Sequence, residues 1–90
     1  MVESVYIINE NITSKTVGNE AILLNFDSGE YFSLNETGVQ IWDLLKKGHN
    51  LSSIIDILGK SHDKKSEDLN KDVVFLVKEL TEKNLIRRAG

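Results

Sequence analysis

Ninety residues, 40% of them hydrophobic and none of them cysteine, suffice for one small domain with one core, and they exclude a disulfide framework or a thiolate metal site. Formal charge is −3, from 14 acidic and 11 basic residues, which argues against tight binding to DNA or RNA, where cations neutralising phosphates supply much of the affinity. No apolar run exceeds about five residues, against the ~20 of a membrane helix, and Glu3 stands where an export signal would carry basic residues, so a soluble, cytoplasmic single domain over residues 1–90 with no membrane partner is expected.

In chain order, Val5-Tyr6-Ile7-Ile8 is the first strand candidate and Lys15-Thr16-Val17 the second, with the polar stretch Asn9 to Ser14 between them and Gly18-Asn19 behind. In Ala21-Ile22-Leu23-Leu24-Asn25-Phe26, alternation puts Ile22, Leu24 and Phe26 on one face of an extended chain. Asp27-Ser28-Gly29 is turn chemistry, with Gly29 able to take positive φ, and Glu30-Tyr31-Phe32-Ser33-Leu34 is expected to return antiparallel. Within that strand Phe32 and Leu34 share the face that should meet the helices, and Tyr31 and Ser33 share the other. Strands are rich in aromatics, so taken alone these two rings signify no more than a strand.

From Asn35 the period becomes helical. Asn35 or Thr37 is the N-cap, and Gly38, Ile41, Trp42 and Leu45 form one stripe that makes Trp42 a core residue. Lys46-Lys47-Gly48 closes this helix with two cations at the negative end of its dipole and a glycine for the left-handed position. A second helix is expected from about Leu51 to Leu58, ended by Gly59 and followed by a charged loop, Lys60 to Lys65. The third should start at Ser66, a capping residue backed by Glu67 and Asp68, and should bury Leu69, Val73, Leu76, Val77 and Leu80. Phe75 falls off that stripe among Asp68, Asp72, Glu79 and Glu82, an acidic flank that by default is a solvated face. A lone ring among carboxylates calls for a cover, either another part of this chain or a ligand. The predicted architecture is α+β, of the winged helix-turn-helix kind: three to four N-terminal antiparallel strands, then three helices.

Little in these elements points to catalysis. His49 and His62 have no cysteine and no close histidine partner, the serines and threonines sit mostly in caps and turns, and no glycine-rich phosphate loop is present. A non-enzymatic chain without metal or cofactor is expected.

Taken together, Leu23-Leu24, Gly29 to Asn35, Thr37-Gly38, Ile41-Trp42, Leu45, Gly48 and Asp72-Val73-Val74-Phe75-Leu76 followed by Leu80 resemble one family, the pyrroloquinoline-quinone biosynthesis protein D family, also called RiPP precursor peptide recognition elements. The likeness spans roughly Ile12 to Ile86 and is sharpest from Tyr31 to Trp42; Asn84 departs from it where the family often has glycine, but Asn also tolerates the left-handed conformation, so the helix should end there all the same. The resemblance implies a non-catalytic domain that binds the leader segment of a ribosomally made precursor peptide as an added antiparallel strand, on the edge of the third strand and against the third helix. It also implies delivery of that peptide to a modifying enzyme such as a leader peptidase or cyclase. The tyrosine-containing strand is similar to the lasso peptide branch, and a chain that stops soon after the domain resembles stand-alone members.

Candidate leader-binding residues are Glu30, Tyr31, Phe32, Ser33 and Leu34 on the strand, with Asp72, Phe75, Leu76 and Glu79 on the helix. An acidic flank would favour a leader carrying Lys or Arg. The principal rival is a DNA-binding winged helix-turn-helix regulator, whose third helix should be basic. Ser66 to Lys83 instead holds Lys71, Lys78 and Lys83 against Glu67, Asp68, Asp72, Glu79 and Glu82, three minus five, or −2. A second rival is a protein adaptor with no peptide leader.

Overall fold

In a computed structural model that describes residues 5–61 and 66–89, the chain runs β1 (Tyr6–Ile8), β2 (Ile12–Val17), β3 (Glu20–Asn25), β4 (Tyr31–Leu34), α1 (Glu36–Lys46), α2 (Leu51–Ser61), α3 (Ser66–Glu82) and β5 (Ile86–Arg88). The class is α+β, antiparallel strands followed by three helices. The winged helix-turn-helix description fits loosely, since the three-stranded sheet precedes the helices and a single short strand follows them. No described helix is long and apolar enough to cross a membrane.

Turn chemistry sets the sheet β2-β3-β4. Gly18, at φ +62°, reverses the chain with Asn19 in two residues, pairing Val17 with Glu20, a loop that favours glycine at its first position. Gly29 closes the next turn at φ +76°, its N–H donating to the Asn25 carbonyl at 2.7 Å, while the Asp27 N–H donates to the Asn25 Oδ1 at 2.8 Å. β4 then pairs antiparallel with β3, from Leu24 opposite Tyr31 to Ala21 opposite Leu34. β2 begins at Ile12, inside the stretch read as a polar link, because six consecutive residues find partners on β3 whatever their own preference.

Asparagine side chains cap the starts of α1 and α2, and residues at positive φ end α1 and α3. Asn35 is the α1 cap, its Oδ1 accepting from the Gly38 N–H at 2.8 Å. Gly48, at φ +88°, ends α1 in a Schellman motif: the Gly48 N–H donates to the Leu45 carbonyl and the His49 N–H to the Leu44 carbonyl. Asn50 caps α2, accepting from the Ser53 N–H at 2.8 Å. The same Schellman pattern ends α3 at Asn84, φ +59°, with Asn84 N–H to Thr81 O and Leu85 N–H to Leu80 O, as expected of an asparagine in the left-handed region.

Two expectations need correction. Gly59 does not end α2, which runs to Ser61; a mid-helix glycine costs only about 1 kcal/mol, and the packing of α2 on α3, with Gly59 beside Leu69, outweighs it. Helices are not the last elements, because β5 follows α3. β1 consequently leaves the main sheet and pairs with β5, Tyr6 opposite Arg88 and Ile8 opposite Ile86. The capping expected of Ser66 and Glu67, the loop over residues 62–65 and His62 lie outside the described residues.

The core lies between the sheet and the helices. Leu23 and Leu34 from the sheet meet Ile41, Trp42 and Leu45 of α1, Ile54 and Leu58 of α2, and Leu69, Val73, Val77 and Leu80 of α3. Each large side chain so buried contributes about 2 kcal/mol. Of the α3 stripe only Leu76 is left partly exposed. The face of β3 that is buried is Ala21, Leu23 and Asn25, so Ile22, Leu24 and Phe26 point outward.

Asn25 is the buried polar residue of the core region, and it anchors a polar knot. Its Nδ2 donates to the Lys83 carbonyl at 3.4 Å; Asn9 Nδ2 donates to the Asn84 carbonyl at 3.0 Å and to Asp27, and Asn11 Nδ2 donates to Asp27 Oδ1 at 2.9 Å. The knot ties the β3–β4 turn to the C-terminal end of α3.

Candidate functional site

β4 is an edge strand: in the order β2-β3-β4 its second edge has no strand partner among the described residues. Its unpaired backbone donors and acceptors make such an edge a template for another strand. Beside it opens a cleft of about 940 Å³, walled by β4 on one side and α3 on the other. α3 packs on α2 and β5 rather than on β4, which leaves this space open.

Of the expected strand residues, Phe32, Ser33 and Leu34 line the cleft. Leu34 is buried and Phe32 half-buried against the core, as the alternation required. Glu30 and Tyr31 do not line it. Glu30 completes the turn, its carbonyl accepting from the Asn25 N–H at 3.0 Å and its own N–H donating to Ser28 Oγ at 3.2 Å, and Tyr31 is 70% exposed on the outer face of the sheet. On the helix, Asp72, Phe75, Leu76 and Glu79 all line the cleft. Their i, i+3, i+4, i+7 spacing places them on one face of α3. Phe75 is 65% exposed, and no described segment covers it.

Sequence reasoning missed the ends of this cleft. Thr37, Gly38 and Ile41 of α1 form part of its lining, and Val17, Glu20 and Ile22 border it from the β2–β3 hairpin. Gly38 has a steric role there: a Cβ on it would stand 3.2 Å from Leu34 Cδ2 and 3.3 Å from Asn35 Oδ1. Only the Gly38 contribution had a visible signal, the asparagine cap three residues before it; Glu20 is brought in by a hairpin that no local pattern reveals.

Among the described residues, the charged side chains lining the cleft are three carboxylates, Glu20, Asp72 and Glu79. Around Phe32, Phe75 and Leu76 this makes an apolar trough with acidic margins. Among the described residues no group of three or more His, Asp or Glu side chains is placed to hold a metal ion. His49, the histidine that is described, has its Nδ1 3.0 Å from Ser53 Oγ at the start of α2, outside the cleft lining.

An unpaired edge strand facing a helix across an open trough is the geometry of domains that extend their sheet with a segment from another chain. The chain belongs to the coenzyme PQQ synthesis protein D family, PqqD, whose model matches residues 20–86. Two solved structures share the fold closely. TbiB1 in complex with the TbiA(beta) leader peptide is 25% identical, with a TM-score of 0.83 over 92% of this chain and 96% of that one. A lasso peptide synthetase B1 complexed with the leader peptide is 26% identical, with a TM-score of 0.82 over 91% and 96% of the two chains. No curated protein sequence matches the chain.

Proposed function

We propose that this chain is a non-catalytic recognition domain that binds the leader of a ribosomally made precursor peptide as an added strand on β4, in the trough against α3, and presents it to a modifying enzyme. The observation that carries the reading is the free edge of β4 beside the trough. Main-chain pairing along Tyr31 to Leu34 supplies affinity with little demand on sequence, and alternate side chains of the peptide enter between Phe32, Phe75 and Leu76. The two similar solved structures are both leader complexes, which supports this occupant and favours a lasso peptide precursor. Three carboxylates at the margins favour a leader bearing Lys or Arg. They also oppose nucleic acid, since phosphates would be repelled where a regulator's recognition helix needs cations.

Titration of the isotope-labelled chain with leader peptides encoded beside it tests the reading. The expected amide shifts are largest at Tyr31 to Leu34 and Asp72 to Glu79. Largest shifts on α2, with β4 silent, would sink the strand-addition mechanism even if the peptide bound.

A further inference from the structure

The cleft is not confined to the gap between β4 and α3. Alternation sends Leu23, Phe32 and Leu34 toward the helices, and Glu20, Ile22, Tyr31 and Ser33 to the outer face of the sheet. Val17 stands opposite Glu20 across the β2–β3 hairpin and therefore shares that face. Yet Val17, Glu20, Ile22 and Ser33 line the same cleft as Phe32, Phe75 and Leu76. The cleft thus wraps around the free edge of β4, with the apolar trough on its inner side and a shelf on its outer side. Ile22 lies opposite Ser33, the smallest side chain of β4, and is 41% exposed, while Val17 is 60% exposed. The shelf has an aliphatic floor open to the strand edge, and among its described lining residues Glu20 is the charged one.

We propose that this shelf is a subsite for one Lys or Arg of the leader, the residue that pairs opposite Ser33, and that Glu20 selects its charge. The inference rests on the leader-binding reading of the cleft and deepens it. Strand addition selects the occupant. Side chains alternate along an added strand and directly opposed residues share a face, so a peptide that sends one side chain into the trough beside Phe32 sends the next one outward beside Ser33. The hydroxymethyl group of Ser33 leaves that side chain room to lean across it onto Ile22 and Val17. Lys and Arg suit such a floor, because their apolar stems cover it while the cation stays in water. At the spacing of strands, the Cα atom of that leader residue stands about 12 Å from the Cα of Glu20 and about 14 Å from that of Lys15, which faces the same side one strand farther away. An extended Lys or Arg and a glutamate reaching toward each other close the first distance, whereas Lys15 lies outside the cleft lining. The next outward position of the peptide, opposite Tyr31, meets a ring with Leu24 behind it, and neither lines the cleft. On the outer face, charge is therefore read at one register position, apart from Asp72 and Glu79 on the inner margin.

The test uses the full chain, the leader peptide encoded beside it and two synthetic versions of that leader that differ only at the residue opposite Ser33, one with Lys there and one with Glu. Intermolecular nuclear Overhauser contacts between the unaltered leader and the isotope-labelled chain identify that residue first. The wild-type chain should bind the Lys peptide about tenfold more tightly than the Glu peptide, and Glu20→Lys should reverse the preference. Asp72→Lys should keep it, because Asp72 borders the inner side. Equal Kd values for the two peptides on the wild-type chain, a Lys preference that survives Glu20→Lys, or one that disappears in Asp72→Lys overturns the subsite and leaves strand addition standing. Failure of the wild-type chain to bind the unaltered leader overturns the reading beneath it. Should Glu20→Lys unfold, Ser33→Leu replaces it: a side chain that fills the shelf should bring the two peptides close to equal affinity, and an undiminished preference for Lys in that variant overturns the proposal.

Discussion

Single residues carry much of the cleft. Gly38 is the clearest case, because alanine there brings its methyl within 3.2 Å of Leu34 and 3.3 Å of the capping oxygen of Asn35. Alanine gains up to about 1 kcal/mol in helix propensity, but crowding a packed site costs about 1–3 kcal/mol, so Gly38→Ala should lose stability by about 1 kcal/mol and weaken leader binding as well. Chemical denaturation and a leader titration of the same variant check both halves. Trp42 tests the core. It is 4% exposed, and its Nε1 has no hydrogen-bond partner among the described residues. Trp42→Ala should cost roughly 3–5 kcal/mol. Trp42→Phe should cost much less, because it keeps most of the ring and removes a buried donor that lacks an acceptor. Equal denaturation midpoints for the alanine variant and wild type would show that the indole is not core.

At the level of elements, helix ends and interiors give opposite signs for related substitutions. Asn84 holds φ +59° at the end of α3, where alanine pays about 1–2 kcal/mol for the left-handed region and glycine pays no such steric penalty. Asn84→Ala should therefore lower the denaturation midpoint and Asn84→Gly should leave it unchanged or raise it. Gly59 is the mirror case. It lies inside α2, and an added Cβ would meet only Leu69 Cδ1 at 3.7 Å, an ordinary contact. Gly59→Ala is expected to stabilise the domain by up to about 1 kcal/mol, measured the same way. If it destabilises instead, the α2–α3 contact is tighter than its geometry indicates.

For the molecule as a whole, the sign of the trough sets its partner. Glu20 reaches it from the sheet and Asp72 and Glu79 from the helix, so the acidic margin is a tertiary property shared between elements. Replacing the exposed Asp72 and the half-buried Glu79 by Lys should weaken a basic leader about tenfold, on the order of 1.4 kcal/mol; an exposed change such as that at Asp72 usually costs the fold about 0.5 kcal/mol, and the change at Glu79 costs more. Wild-type binding should also weaken as salt rises, since exposed charges are screened beyond about 10 Å at 0.1 M ionic strength. Calorimetric titration at two salt concentrations checks both. Undiminished affinity of the Lys variant for a basic leader would remove electrostatics from the recognition.

Local chemistry was legible in the amino-acid order. Gly29, Asn35, Gly48 and Asn84 each occupy the turn or cap their side chains favour, because positive φ and capping depend on a residue and its immediate neighbours. The burial of Trp42 and of Leu69, Val73, Val77 and Leu80 followed from helical period alone. Period also set Phe75 beside Asp72 and Glu79 on the acidic flank, but it assigned Leu76 to the buried stripe, whereas Leu76 lines the cleft with them. What period leaves open is what that face looks at. Alternation groups Ile22, Leu24 and Phe26 on one face of β3 without saying which face is inward, and packing against α1 decided that the Ala21-Leu23-Asn25 side is buried. β5 has three residues, two of them arginine, and exists because β1 lies alongside to pair with it. The trough itself arises where the knot around Asn25 and Asp27 holds α3 to one end of the sheet and leaves the edge of β4 unpaired. Pairing over such separations depends on which elements meet in space, and no local window of sequence contains that information.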